Sequence, residues 1–168
     1  NTYFFITGDH TSLSGLDTYS ELGSYRVPLM VYHPQDENLT GKHDLHTAQH
    51  VDILPTVLGL LPVALPRAPL FGRPLLASAG ALLPDSLRTG RLINGLAGVY
   101  WYADDTSYAR FNGRDGWEFA TIPPLGGAPH PMSDTPHTQE LQEKLLAHIQ
   151  YFNHGLKHER LYDVVPEK

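Results

Sequence analysis

An apolar run that ends at once in a carboxylate and an imidazole constrains this chain more than any other feature. Residues 2–7 (TYFFIT) are mostly aromatic and β-branched, and this composition predicts a buried β-strand. Gly8, Asp9 and His10 follow directly. Because open α/β sheets bind ligands just beyond the carboxyl ends of their strands, we expect Asp9 and His10 to lie at a functional site.

The residue types at this site favour a divalent metal. A carboxylate oxygen with an imidazole nitrogen suits Mn²⁺ or Zn²⁺, whereas a carboxylate alone suits Mg²⁺ or Ca²⁺. Neighbouring side chains of a regular strand point to opposite faces, so both groups reach one ion only where the chain leaves the extended conformation. Gly8 permits that bend. The structural alternative is an Asp9-His10 turn that only caps the strand.

The first half of the chain predicts two strands and a short helix. Residues 26–32 (RVPLMVY) are nearly all apolar, which is typical of a strand covered on both faces. Residues 12–25 are predicted to form a surface loop with one helical turn. Residues 49–61 predict a helix of about two turns, with Asp52 as its N-cap and Pro55 in its first turn.

The second half predicts an antiparallel meander and a closing helix. Short aromatic runs at residues 98–103, 107–111 and 117–121 are separated by turn residues. The last helix is expected to begin at Thr138 as N-cap and to end at Asn153 or Gly155. We therefore divide the chain into an α/β core (residues 1–91) and a meander with a helix (residues 92–168). The predicted apolar face of that helix contains Leu141, Leu145, Leu146, Ile149 and Phe152.

Composition excludes two classes of function. The net charge is −6 and the 12 Lys and Arg form no run, which argues against nucleic-acid binding. No stretch approaches the roughly 20 apolar residues that span a bilayer, so no membrane span is expected. The absence of Cys suits an extracytoplasmic bacterial protein and equally a cytosolic one.

Two further groups of residues have alternative interpretations. His43, His46 and His50 would line one face of a helix and hold zinc, but the weak helical pattern there favours loop histidines that are not ligands. Trp101 and Trp117 are candidates for stacking a sugar ring. In a meander such residues more often pack a helix against the sheet, and we expect that role.

Several motifs in fixed order carry a family resemblance. Residues 4–12 (FFITGDHTS), 23–34 (GSYRVPLMVYHP) and 48–58 (AQHVDILPTVL) resemble the back half of the sulfatase and alkaline-phosphatase superfamily. Within that superfamily, the motifs most resemble the lipoteichoic acid synthase, or phosphoglycerol transferase, family. Residues 71–75 (FGRPL) resemble a further family segment, and residues 149–153 (IQYFN) with Arg160 and Leu161 resemble its terminal helix. The resemblance covers essentially the whole chain.

This resemblance implies a fold and a metal site. The fold would be the C-terminal portion of an alkaline-phosphatase-like α/β sandwich, with a small antiparallel meander and a closing helix. One divalent metal, Mn²⁺ in the first place with Mg²⁺, Zn²⁺ or Ca²⁺ as alternatives, would be bound by Asp9 and His10. The other ligands, a nucleophilic Thr and an acidic residue, belong to an earlier half that we expect to precede this chain. His10 favours the transferases over sulfatases, which often have Asn there, and Thr11-Ser12 differs from the Gly-Glu-Ser of phosphoethanolamine transferases.

The resemblance also implies a function. We expect the C-terminal part of an extracytoplasmic transferase or hydrolase that acts on phosphate or sulfate esters through a covalent enzyme intermediate. Its substrate would be an anionic lipid, and the parent protein would be anchored by N-terminal membrane helices at the periplasmic or cell surface. Arg26 either meets substrate phosphate or, more commonly for such a residue, fixes its strand by a salt bridge. An arylsulfatase or phosphatase-type hydrolase is the first alternative, and a non-catalytic carbohydrate-binding module is the second.

Overall fold

The chain has mixed α and β structure. The computed structural model describes residues 2–11, 21–39, 41–42, 46–61, 72–76, 90–94, 98–123 and 128–158. None of the helices in these ranges combines the length and the hydropathy that a bilayer crossing requires. The elements in chain order are β1 (Phe4–Thr7), a 3₁₀ turn (Leu22–Tyr25), β2 (Leu29–Tyr32), a second 3₁₀ turn (His50–Asp52), α1 (Ile53–Leu60), β3 (Arg91–Asn94), β4 (Tyr100–Ala103), β5 (Ser107–Phe111), β6 (Trp117–Thr121) and α2 (Pro136–Lys157).

The first sheet consists of β1 and β2, which pair antiparallel. Both strands are shorter than predicted, and Pro28, which has no N–H to donate, lies just before β2. The antiparallel pairing places Asp9 and His10 beside the start of β2. Asp9 and His10 follow directly after a strand, as predicted, but among the described strands they do not lie at an edge where the carboxyl ends of several strands meet, because β2 runs in the opposite direction.

The predictions that β1 is a buried strand and that β2 is covered on both faces are wrong for the described residues. Phe4 pairs with Tyr32 and Ile6 with Met30, so the four side chains share one face of the sheet. Each of them is between 48% and 55% exposed. The physical reason is that composition records only a tendency to be covered, whereas burial requires a packed layer, and the described elements leave this face half open.

The second sheet is an antiparallel meander in the order β3, β4, β5, β6. The three predicted aromatic runs are confirmed as β4, β5 and β6. β3 (Arg91–Asn94) was not predicted as a strand, since it is short and has neither an aromatic residue nor alternating polarity. It crosses the expected division between the α/β core and the meander, which was placed between residues 91 and 92.

The meander has a separate core on each face. On one face Tyr102 and Ala109 are buried against Leu141 and Leu145 of α2, and Ile149 packs against this cluster, so three of the five residues predicted for the apolar side of that helix lie in this core. On the other face the core includes Trp101, Ala103, Tyr108, Ala120 and Leu22. Leu22 belongs to the first 3₁₀ turn, so this contact joins the front of the chain to the meander.

The closing helix begins three residues earlier than predicted. Its N-cap is Thr135, whose hydroxyl accepts a hydrogen bond from the Thr138 N–H (3.2 Å), and Pro136 occupies the first position. Thr138 is the third helical residue, and its hydroxyl oxygen accepts from the Thr135 N–H (2.8 Å). The helix continues to Lys157, beyond the expected end at Asn153 or Gly155.

The short helix α1 (Ile53–Leu60) is confirmed, but the role expected for Asp52 is not. Asp52 precedes α1, yet its carboxylate does not cap that helix. It is fully buried and accepts from the backbone N–H of Gln49 (2.8 Å) and of Arg73 (2.8 Å). It also pairs with Arg91 Nε at 2.9 Å. Asp52 therefore joins α1, residues 72–76 and β3.

Candidate metal-binding turn

The structure places Asp9 and His10 in an exposed turn directly after β1. Their side chains are 91% and 78% exposed, and Asp9 Oδ1 lies 3.7 Å from His10 Nε2. Adjacent ligand atoms about 2.1 Å from the ion lie roughly 3.4 Å apart around tetrahedral Zn²⁺ and roughly 3.0 Å apart around octahedral Mn²⁺, so both atoms reach one ion once they approach by about 0.3–0.7 Å. The Asp9 carboxylate also accepts from the His10 backbone N–H at 3.0 Å, which holds it beside the imidazole.

A backbone hydrogen bond selects the tautomer of His10. Its Nδ1 lies 2.9 Å from the carbonyl oxygen of Thr11, and since a carbonyl only accepts, Nδ1 carries the proton. The neutral ring then has its lone pair on Nε2, the atom nearer Asp9. Metal-binding histidines usually make such a bond through the other ring nitrogen. The Thr11 bond and, after it, the charge of Asp9 raise the pKa of His10.

The backbone around this turn is held by residues from other elements. His50 Nε2 lies 2.8 Å from the carbonyl oxygen of Gly8 and 3.1 Å from Thr7 Oγ1. On the far side of the turn, the Thr11 hydroxyl donates to the carbonyl oxygen of Ser24 at 2.6 Å. The two candidate ligands are therefore exposed on a backbone that is fixed at both ends.

The three-histidine zinc alternative is contradicted, as far as the structure describes these residues. Residues 46–49 are not helical, so His46 and His50 do not share a helix face. His46 bonds through Nδ1 to the carboxylate of Asp105, and His50 reaches Gly8. His43 lies outside the described residues. Across the described ranges, no three His, Asp or Glu side chains converge as a metal site.

Arg26 is exposed, and its backbone N–H donates to the carbonyl oxygen of Gly23 at 3.1 Å. It forms no ion pair with another described residue, so the expected salt bridge that fixes the strand is not seen within these ranges. A contact between Arg26 and a substrate phosphate stays a prediction.

The two tryptophans lie on opposite faces of the meander. Trp117 stacks with Phe111 (centroids 4.5 Å apart) and Phe119 (5.9 Å) on the side of α2, as expected. Trp101 is 1% exposed on the other face, with the Tyr25 ring at 5.4 Å and the Arg110 guanidinium 5.6 Å from its centroid. Trp101 therefore offers no open ring to a sugar.

A second polar cluster joins the turn between β4 and β5 to the start of α2. Ser107 Oγ lies 2.7 Å from His137 Nε2, and Glu140 Oε2 lies 3.8 Å from His137 Nδ1. This order resembles a serine nucleophile with its base. Ser107 is only 2% exposed, however, and its hydroxyl also contacts the Asp104 carboxylate, so we interpret the cluster as structural. The sequence around Asp104 predicts only a turn. It does not predict this cluster, because His137 is distant along the chain.

The contact of His50 with the end of β1 was also not predicted. Its only local signal was the spacing to neighbouring histidines, whereas its partners Thr7 and Gly8 lie more than 40 residues earlier.

In comparisons with protein-family models, with curated proteins and with solved structures, nothing matches the chain. The family resemblance therefore depends on the sequence motifs alone.

Proposed function

We propose that this chain is the C-terminal part of an extracytoplasmic, metal-dependent phosphoglycerol transferase of the sulfatase and alkaline-phosphatase superfamily. The observation that carries the proposal is the pairing of Asp9 and His10 in an exposed turn, with 3.7 Å between Oδ1 and Nε2. These two groups would hold one divalent metal, Mn²⁺ in the first place. The bound metal supplies a Lewis acid that polarises a phosphoryl oxygen and lowers the pKa of a nucleophilic hydroxyl.

The two residues contribute differently. Asp9 provides negative charge, and His10 provides a neutral nitrogen whose orientation is set by the hydrogen bond to Thr11. Because an imidazolium has no lone pair to donate, metal binding should weaken in acid. The nucleophilic threonine and a further acidic ligand are proposed to come from the preceding half of the same enzyme.

The exposed face of the first sheet supports a covering partner. Phe4, Ile6, Met30 and Tyr32 present contiguous apolar surface, and such surface on a folded protein marks a site of interaction. We propose that the preceding half covers this face and extends β1 and β2 into the larger sheet of an alkaline-phosphatase-like sandwich. The same arrangement would bring its metal ligands towards Asp9.

The proposed reaction transfers glycerol phosphate from an anionic lipid through a covalent enzyme intermediate at the periplasmic or cell surface. N-terminal membrane helices would anchor the parent protein there. The runner-up, an arylsulfatase or phosphatase-type hydrolase, is distinguished by a Cys or Ser in a C/S-x-P-x-R context upstream, where the transferases have Thr.

The test uses the intact protein with Mn²⁺. Release of diacylglycerol from phosphatidylglycerol vesicles is measured beside hydrolysis of an aryl sulfate and an aryl phosphate. We expect lipid turnover that Asp9→Ala abolishes and that Asp115→Ala, in an exposed turn of the meander, leaves intact. Turnover of the aryl esters alone would favour the runner-up, and full activity of the Asp9 variant would contradict the proposed site.

A further inference from the structure

An imidazole from a distant part of the chain holds the end of β1. His50 Nε2 lies 2.8 Å from the Gly8 carbonyl oxygen, which can only accept, so Nε2 carries the ring proton. The same N–H is shared with Thr7 Oγ1 at 3.1 Å, and the Thr7 hydroxyl in turn donates to the Gly8 oxygen at 3.2 Å. One N–H therefore fixes the two residues that precede Asp9.

The side chain of His50 is exposed, but its backbone belongs to an anchored segment. His50 follows Gln49, whose backbone N–H donates to Asp52 Oδ2 (2.8 Å) and whose side-chain amide donates to the Leu92 carbonyl oxygen (2.5 Å). Asp52 is fully buried and paired with Arg91 of β3. His50 thus belongs to a segment that is hydrogen-bonded to the meander, and it reaches from there to the end of β1.

The opposite end of the turn is held independently. The Thr11 hydroxyl donates to the Ser24 carbonyl oxygen, and Ser24 lies in the 3₁₀ turn whose Leu22 is buried against the meander. Residues 8–11 are therefore fixed from two sides. A backbone that is already ordered loses less conformational entropy when its side chains bind an ion.

We propose that His50 is a positioning residue, which holds the backbone at Gly8 so that Asp9 and His10 converge on one divalent cation. This inference rests on the proposed function, since it takes Asp9 and His10 as the metal ligands. His50 is not assigned as a ligand, because the ring atom that contacts the turn, Nε2, carries the proton that Gly8 accepts and so has no lone pair for an ion there.

The test compares the Mn²⁺ dissociation constants of intact protein variants by isothermal titration calorimetry. Loss of a residue that orients a metal ligand typically weakens metal binding by about 10- to 100-fold. Because His50 acts through the backbone, its effect should be near the low end of this range. We therefore expect His50→Leu to bind Mn²⁺ about tenfold more weakly than the wild type. His50→Gln keeps a donor at a similar reach and should bind nearly as tightly as the wild type.

A matched control separates positioning from general stability. Thr56→Val removes buried hydrogen bonds to the Asp52 carbonyl oxygen and from the Leu75 N–H without touching residues 7–11. It should lower the melting temperature and leave the Mn²⁺ dissociation constant unchanged. If His50→Leu fails to fold, His50→Asn, whose donor is too short to reach Gly8, carries the same comparison.

The outcomes distinguish two failures. Wild-type affinity in His50→Leu, or an equal loss in Thr56→Val or in His50→Gln, would overturn the positioning role. Asp9→Ala and His10→Ala test the site itself. If they leave Mn²⁺ binding unchanged, the proposed metal site is wrong, whereas if they abolish it while His50→Leu does not weaken it, only the role of His50 is wrong.

Discussion

Replacing Asp52 with alanine is expected to lower the free energy of unfolding by about 4 kcal/mol, because removal of one partner from a buried ion pair costs about 3–5 kcal/mol. Asp52 is 0% exposed and Arg91 is 7% exposed, so the guanidinium would remain buried without this carboxylate. The N–H groups of Gln49 and Arg73 would also lose their acceptor, at about 1–3 kcal/mol for each that stays unsatisfied. Water that enters the space left by the carboxylate can accept hydrogen bonds from these groups and recovers part of this loss. The expected total therefore stays near about 4 kcal/mol, the value for the ion pair alone.

The assay is urea unfolding followed by circular dichroism, with the slope of the transition compared between variants. Glu140→Gln provides the control, since Glu140 and Lys144 form an ion pair that is shorter (2.6 Å, against 2.9 Å for Asp52 and Arg91) but exposed. Exposed pairs contribute little, so this variant should leave the urea midpoint unchanged. A loss below about 1 kcal/mol for Asp52→Ala, or a midpoint shift as large for Glu140→Gln, would refute the claim that burial determines the cost.

Three other predictions concern packing, pH dependence and activity. Gly72→Ala should destabilise by about 1–3 kcal/mol, because a Cβ there would overlap the Val51 carbonyl oxygen, and an unchanged melting temperature would contradict this close approach. Burial lowers the pKa of the His148 imidazole in the folded state. The unfolded chain therefore binds the proton more readily than the folded chain does. The stabilising contribution of the neutral, buried ring is present above about pH 6.5 and is lost as pH falls through the folded-state pKa. His148→Phe should therefore flatten the dependence of the unfolding free energy on pH below about pH 6.5, and a slope equal to that of the wild type in urea unfolding over this range would contradict it. If the proposed function is right, the isolated 168 residues should bind Mn²⁺ weakly and show no phosphodiesterase activity, and measurable turnover would count against the proposal that the nucleophile lies outside them.

Elements with a local signal were predictable. α1, β4 to β6 and the apolar face of α2 depend on residue spacing and on adjacent turns, which a short window of sequence contains. The start of α2 was misplaced because Thr135 and Thr138 are both competent caps. Pro136 decides between them, since its fixed φ and missing N–H suit the first helical position.

Properties that depend on distant partners were not predictable. The apolar run of β1 shows a tendency to be covered, but not which layer covers it. The sequence around Asp52 is compatible with two roles, a helix cap and a buried ion-pair partner. Only the approach of Arg91, 39 residues later, decides between them. The proximity of Asp9 and His10 follows from their adjacency in the sequence, whereas the contact from His50 depends on the fold.

Anomalous diffraction from Mn²⁺-soaked crystals of the intact protein tests the central claim most directly. We expect a manganese peak that is bonded to both the Asp9 carboxylate and His10 Nε2, with His10 Nδ1 still donating to the Thr11 carbonyl oxygen. A manganese peak bound by other groups, with Asp9 and His10 free in solvent, would contradict it.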